Sequence, residues 1–245
     1  MCTILIAWRV APGAPLVLAA NRDELLARET GGPRLLMERP RAAGGIDLLA
    51  GGTWMAVGAP GRVAAVTNRH VERRDPSRRS RGELPLDLLA QPDDVAVEAR
   101  LTALDFAAYN PCNVLHISRD RALVAHVEAS GVGLVELTPG AHVLTTVDLD
   151  AAGDAKVARL RAGMEAIVAR QHPATELVER MEGLLRDHGP DRAAGLGAAC
   201  IHGDVYGTRS SSSAVLWAGG GVTYRHAAGR PCVTPHEDVS ALLTA

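Results

Sequence analysis

The sequence predicts an α+β protein in which two antiparallel sheets stack face to face with helices outside. Two observations carry that expectation. Apolar, β-branched runs come first, then a pair of helical stretches, more strands, a second helical pair and final strands, without the strand–helix alternation of a doubly wound sheet. No linker, repeat or low-complexity stretch divides the 245 residues, so residues 1–245 are expected to form a single domain. At 47% hydrophobic residues the chain can bury a large core.

Residues 2–9 and 15–20 are apolar and β-branched, and Pro12-Gly13 between them marks a turn, which predicts a hairpin. Cys2 then begins the first strand, and Asn21-Arg22-Asp23-Glu24 falls where the second ends. Two further strands are expected at 53–58 and 62–68, joined through Ala59-Pro60-Gly61. Residues 69–81 hold six arginines and few apolar residues, and read first as a solvated loop. Guanidinium forks also grip carboxylate and phosphate, which is the functional alternative. Helical stretches at 83–90 and 93–104 flank Pro92, the second opening on acidic residues. Strands resume at 112–118, 122–128, 132–137 and 142–146. Residues 153–170 place Val157, Leu160, Met164, Ile167 and Val168 at helical spacing. A second helix over 174–187 turns Leu177, Met181, Leu184 and Leu185 inward. The last strands, at 213–217 and 222–226, enclose the Gly219-Gly220-Gly221 turn.

A formal net charge of −2 gives no reason to expect nucleic acid or an anionic membrane as partner. Positive charge is nearly all arginine, Lys156 being the only lysine. Four cysteines in a chain of this length do not make a disulfide framework. Cys112, Cys200 and Cys232 are far apart, and Cys200-Ile201-His202 offers one close pair, so no metal site is expected. Cys112 and Cys200 read instead as small buried hydrophobes. No Cys-x-x-Cys-His run is present for covalent haem, and no cofactor is expected. No stretch reaches the ~18 uninterrupted apolar residues of a membrane span. The N-terminus lacks a basic leader and Arg9 breaks its apolar run, so a reduced, cytoplasmic setting is expected.

Cys2 gains interest from its position. If Met1 is trimmed, the chain begins with a thiol beside a free α-amine, a nucleophile and a base at one terminus. The amine is partly unprotonated at neutral pH, with an ordinary pKa near ~7.7–8.0. It can then take the thiol proton directly or through one water.

Six segments occur in order: Met1-Cys2-Thr3, Leu18-Ala19-Ala20-Asn21-Arg22-Asp23-Glu24, Gly51-Gly52-Thr53-Trp54, Ala65-Val66-Thr67-Asn68, Arg81-Gly82-Glu83-Leu84 and Tyr206-Gly207-Thr208-Arg209. Together they resemble the NRDE family, also called the transport and Golgi organisation 2 family, from residue 1 to about residue 217. That family in turn resembles the N-terminal-nucleophile hydrolases, above all the branch of bile-salt hydrolases and penicillin V acylases. The resemblance implies the four-layer α-β-β-α sandwich. Family members are associated with haem movement and membrane-trafficking phenotypes.

The resemblance also implies roles. Asn21-Arg22-Asp23 fits the acylase branch's motif of Asn, one residue, then Asp. Asp23 is then the carboxylate that orients the terminal amine or thiol of Cys2. The branch has an arginine just before the asparagine, where this chain has Ala20, and Arg22 is the neighbouring substitute. Adjacent strand residues point to opposite faces, so Arg22 and Asp23 need not both reach the site. An ion pair of Arg22 with Glu24, holding the corner of the chain, is the alternative. Asn68 corresponds to an oxyanion donor, and a strand-ending asparagine is its bland counterpart. Thr146 stands where the branch has a second asparagine donor. Arg209 is expected to face the pocket and to pair with a substrate carboxylate or with Asp23. Trp54 is expected in a pocket wall or the core. A cysteine beside an amine, an arginine and a pocket edge should be partly exposed, with a lowered pKa.

Two functions follow. In the first, Cys2 attacks a non-peptide amide or related acyl substrate, and the acyl-enzyme passes to water or, in an acyltransferase, to an amine. In the second, the same fold carries haem or another hydrophobic ligand and Cys2 is a ligand or residual.

Overall fold

The computed structural model describes residues 2–71, 73–190 and 197–244. Pro12-Gly13 turns β1 (Cys2–Ala11) into β2 (Ala14–Leu25), and the Asn-Arg-Asp-Glu run lies inside the last turnings of β2. β1 is flanked by β10 (Gly140–Leu144) and β2 by β11 (Tyr206–Leu216). β12 (Val222–Ala227) and the short β13 (Glu237–Asp238) extend the sheet, giving the order β10-β1-β2-β11-β12-β13. All of these pairings are antiparallel.

The second sheet is an antiparallel meander in chain order. It runs β3 (Thr30–Glu38), β4 (Arg41–Asp47), β5 (Met55–Gly58), β6 (Arg62–Asn68), β7 (Cys112–Ile117), β8 (Ala122–Glu128) and β9 (Gly131–Glu136). The helices are α1 (Leu84–Leu89), α2 (Asp94–Thr102), α3 (Ala155–Val168) and α4 (Ala174–Leu184). Asp93 caps α2 by accepting the Ala96 N–H, and Asp154 caps α3 by accepting the Val157 N–H. No described helix is long and apolar enough to cross a membrane.

Period-two alternation sorts the core into three packed seams. Ile4, Ile6, Leu16 and Leu18 meet Met55, Val57, Val63 and Leu115 between the sheets. Leu5, Ala7, Val17 and Ala19 face Val157, Leu160, Leu177 and Met181 of α3 and α4. Ala56, Ala64, Val114 and Ala125 face Leu84, Leu88, Val97 and Leu101 of α1 and α2. The layers are therefore helix, sheet, sheet, helix. Sheets covered on both faces need apolar residues at every position, which explains the unbroken run from Ile4 to Trp8.

Four strands differ from the sequence expectation. β3 and β4 occupy residues 30–47, where glycine, proline and half-exposed positions dilute the strand signal. β11 begins at Tyr206 rather than near 213, because Thr208, Ser211 and Ser212 are buried by the ladder with β2. Their polarity hides a central strand. β13 had no local signal of its own.

Candidate functional site

Three strands bring the site together by register. Cys2 pairs with Arg22 and Thr3 with Asn21 across β1 and β2. On the other side of β2, Tyr206 pairs with Leu25, Gly207 with Glu24, Thr208 with Asp23, and Ser210 with Arg22. Arg209 is the extra residue at the register shift between Thr208 and Ser210. Such a bulge re-aims a side chain at a strand's end.

A loop crossing completes the wall. Gly52 has φ +78°, and a Cβ there would strike the Gly82 carbonyl. The Thr53 N–H donates to that same carbonyl at 2.8 Å. This docking of Gly51-Gly52-Thr53-Trp54 on Arg81-Gly82-Glu83 sets Trp54 and Arg81 opposite the strand ends. Cys2, Arg22, Asp23, Glu24, Trp54 and Asn68 thereby border one cavity of ≈ 180 Å³. Arg28, Asp47, Arg74 and Arg81 line it as well.

Charge dominates that lining. Arg28 is held by Asp47 at 2.6 Å and lies 3.8 Å from Glu24. Arg22 is 6% exposed, 3.9 Å from Glu24, and its Nη1 has no hydrogen-bond partner among the described residues. Both Arg22 and Asp23 border the cavity, despite the alternation of strand side chains.

Cys2 departs from the sequence expectation of partial exposure and a lowered pKa. It is 8% exposed, and burial pushes its thiol up. The charge of the terminal amine, then that of Arg22, and a hydrogen bond from the Asp23 backbone oppose that rise without overcoming it, while the Asp23 carboxylate adds to it. The sequence places the thiol beside an arginine; only packing shows how little water reaches it.

Asp23 is equally buried, at 3% exposure, and its carboxyl is pushed up to about 6 by burial. Lys156 and the Thr208 hydroxyl counter that rise, the latter donating to Oδ1 at 2.6 Å. Tyr206 donates its phenol proton to the Asp23 carbonyl at 2.9 Å. Lys156 projects from the first turn of α3 and is 8% exposed; burial lowers its pKa, while Asp23 and Cys2 hold it up. Sequence reasoning passed over Lys156 as a site residue. The signal was there: the chain's single lysine sits beside the apolar stripe of α3.

Asn21 turns away from the cavity. Its amide donates to the Leu185 carbonyl at 2.9 Å and the Ala199 carbonyl at 2.8 Å, tying the sheet to the end of α4 and the segment beyond. Thr146 lines a neighbouring cavity of ≈ 380 Å³ that shares Asn68, Arg74 and Arg81 with the first. Arg209 lines a different one, of ≈ 190 Å³, which shares Arg22 and Trp54. Its guanidinium donates to the Leu26 carbonyl and contacts the Thr30 hydroxyl at 3.4 Å. The arginine-rich stretch divides in two. Arg69 is bound by Glu128 and Asp148, each at 2.6 Å, and Arg79 by Glu83, whereas Arg74 and Arg81 turn to the cavity.

Two antiparallel sheets between helix layers, with a cysteine opening a central strand, define an N-terminal-nucleophile-hydrolase-type fold. Solved structures agree. A mutant of the conjugated bile acid hydrolase from Clostridium perfringens superimposes with a TM-score of 0.55 at 12% identity, over 98% of this chain and 93% of that one. The Caenorhabditis elegans N-acylethanolamine-hydrolyzing acid amidase orthologue gives 0.56 at 12% identity, over 86% and 92%. The chain belongs to the transport and Golgi organisation 2 family, whose model matches residues 1–226. The mouse Transport and Golgi organization 2 homolog is 25% identical over 91% of each chain, and the human homolog is 24% identical with the same coverage.

Proposed function

We propose that the protein is a cysteine-dependent amidohydrolase, or the corresponding acyltransferase, for a small acyl amide bearing an anionic group. One observation carries this reading: Cys2, Arg22, Asp23 and Asn68 border one cavity. The two superimposable proteins are named for hydrolysis of a conjugated bile acid and of N-acylethanolamines, which supports amide chemistry here.

With Met1 removed, the α-amine of Cys2 takes the thiol proton as sulfur bonds to the substrate carbonyl carbon. Asn68 Nδ2–H and a backbone N–H donate to the resulting oxyanion; loss of one such donor costs ~10²–10³ in rate. The C–N bond then breaks, the leaving amine collects the proton from the α-ammonium, and an acyl-Cys2 thioester remains. Water, deprotonated by the same amine, releases the acid; an amine in its place yields a new amide. Asp23 orients the terminal amine and must be ionised to do so. Arg22, Arg74 and Arg81 hold the anionic group, since Arg28 already serves Asp47.

The test is intact mass of protein purified from its own host, before and after an electrophilic acyl probe. The expected protein lacks Met1 and gains one acyl group that Cys2→Ala abolishes. A fully retained methionine, or an adduct equal in Cys2→Ala, overturns the mechanism. Among the acids, Asp23→Asn is expected to lower kcat/KM more than Glu24→Gln; equal losses with folding unchanged reduce the pair to a structural corner.

A further inference from the structure

Residues distant in sequence form a second chemical cluster, separate from the lining of the Cys2 cavity. Cys200 Sγ lies 3.5 Å from Cys232 Sγ and 3.7 Å from His202 Nε2. His202 Nε2 lies 3.1 Å from Cys232 Sγ. The His188 ring packs edge-on against His202 with centroids 4.7 Å apart. Ligand atoms of His188, His202 and Cys232 all fall within 4.8 Å of one another. Chain separation hides the set: the two thiols stand 32 positions apart.

The triangle has the dimensions of a tetrahedral metal site. Zinc–sulfur and zinc–nitrogen bonds of about 2.3 and 2.1 Å imply S···S edges of about 3.8 Å and S···N edges of about 3.6 Å. The observed edges of 3.5, 3.7 and 3.1 Å sit within half an ångström of these values. A disulfide requires sulfurs about 2.05 Å apart, and both cysteines are free thiols. His188 stands beside this triangle, with a ligand nitrogen within 4.8 Å of those of His202 and Cys232. Its Nδ1 lies 3.3 Å from the Cys200 carbonyl, a bond that in the Nδ1–H tautomer would free Nε2 for a metal. Metal-bound imidazoles are commonly oriented by such a bond. Two thiols and two imidazoles form a borderline-soft donor set that suits zinc over magnesium or calcium.

We propose that His188, Cys200, His202 and Cys232 form a structural zinc site with two thiolate and two imidazole ligands. The four ligands leave no open position, so the ion holds structure rather than activating water. It clamps the segment around Ile201 to the segment after β12. Two contacts of the Cys2 corner rest on that first segment. Asn21 donates to the Ala199 carbonyl at 2.8 Å, and the Ile201 N–H donates to Thr208 Oγ1 at 2.9 Å, the hydroxyl that holds Asp23.

The test uses the full chain purified under reducing conditions, with metal content as readout, so it does not depend on the reaction proposed above. Elemental mass spectrometry is expected to find about one zinc per chain, resistant to a weak chelator, as for closed structural sites. Cys2→Ala keeps that metal. Cys232→Ser and the surface substitution His202→Ala each lower its occupancy at least tenfold in competition with a chromophoric chelator, while circular dichroism shows them folded. Cobalt(II) loaded into the stripped protein gives tetrahedral ligand-field bands and thiolate charge transfer. Absence of stoichiometric zinc after reconstitution, an octahedral cobalt spectrum, or retention of metal by both ligand variants overturns the proposal. A non-reduced protein two hydrogens lighter, with a peptide linking Cys200 to Cys232, also overturns it and identifies a redox pair.

Discussion

Thr208 Oγ1 donates a 2.6 Å hydrogen bond to Asp23 Oδ1 while accepting the Ile201 N–H at 2.9 Å. One hydroxyl therefore fixes the carboxyl behind Cys2 and the segment leading into β11. Both partners are buried, so the geometry is enforced by the low polarity around it as much as by the bond.

Lys156 acts on Asp23 through charge. The carboxyl, pushed up to about 6 by burial, is held below a still higher value by Lys156. Replacing the cation raises the Asp23 pKa further, so ionised Asp23 is lost at a higher pH on acidification. In Lys156→Met the acid limb of kcat/KM, expected near pH 6 in the unaltered protein, moves up by ~1 unit or more. Lys156→Arg, which keeps a cation there, leaves the limb close to its unaltered position. A pH–rate series in which the limb stays put denies Lys156 this role.

Arg22→Met separates binding from folding. Arg22 is buried, its Nη1 has no hydrogen-bond partner among the described residues, and Glu24 lies 3.9 Å away, so the folded protein gains little from the charge. The melting temperature is expected to hold or rise. Affinity for a carboxylate- or phosphate-bearing probe should fall about tenfold to a hundredfold, the loss of a charged hydrogen bond worth roughly 1.5–3 kcal/mol. Scanning fluorimetry and calorimetric titration read the two effects; a sharp fall in melting temperature contradicts the account.

Asn21→Ala should behave in the opposite way. Its amide satisfies the Leu185 and Ala199 carbonyls from a fully buried position. Leaving both without that donor costs about 2 kcal/mol, or roughly 4–8 °C in melting temperature for a chain of this size. A change under 2 °C by calorimetry would show that the clamp is dispensable.

Gly52→Ala tests the loop crossing. Positive φ and the Gly82 carbonyl leave no room for a Cβ, and that carbonyl cannot move without breaking the Thr53 hydrogen bond. The expected loss is about 1–3 kcal/mol, with weaker retention of anionic probes because Trp54 and Arg81 lose their mutual setting. Gly13→Ala is the control: also at positive φ, but with open space around its Cβ position, it lacks the clash. Equal chemical-denaturation midpoints for the two variants would remove the packing argument.

What the sequence determined by itself is the layered α+β class, the β1–β2 hairpin, all four helices within a few residues, and the motifs that mark the Cys2 corner. These are local facts: apolar period, turn residues and caps act within a few positions of the chain. Tertiary structure decided the rest. β11 is a strand from Tyr206 because β2 lies beside it, although Thr208 and Ser211 argue locally for a loop. Cys2 lies in a dry environment that raises its pKa, because desolvation comes from the atoms packed around the thiol rather than from its neighbours in sequence. Lys156 reaches Asp23, and Cys200 reaches Cys232, only after helix and strand layers have closed. Charge, burial and ligand geometry act through space, and a chain read one residue at a time does not contain those distances.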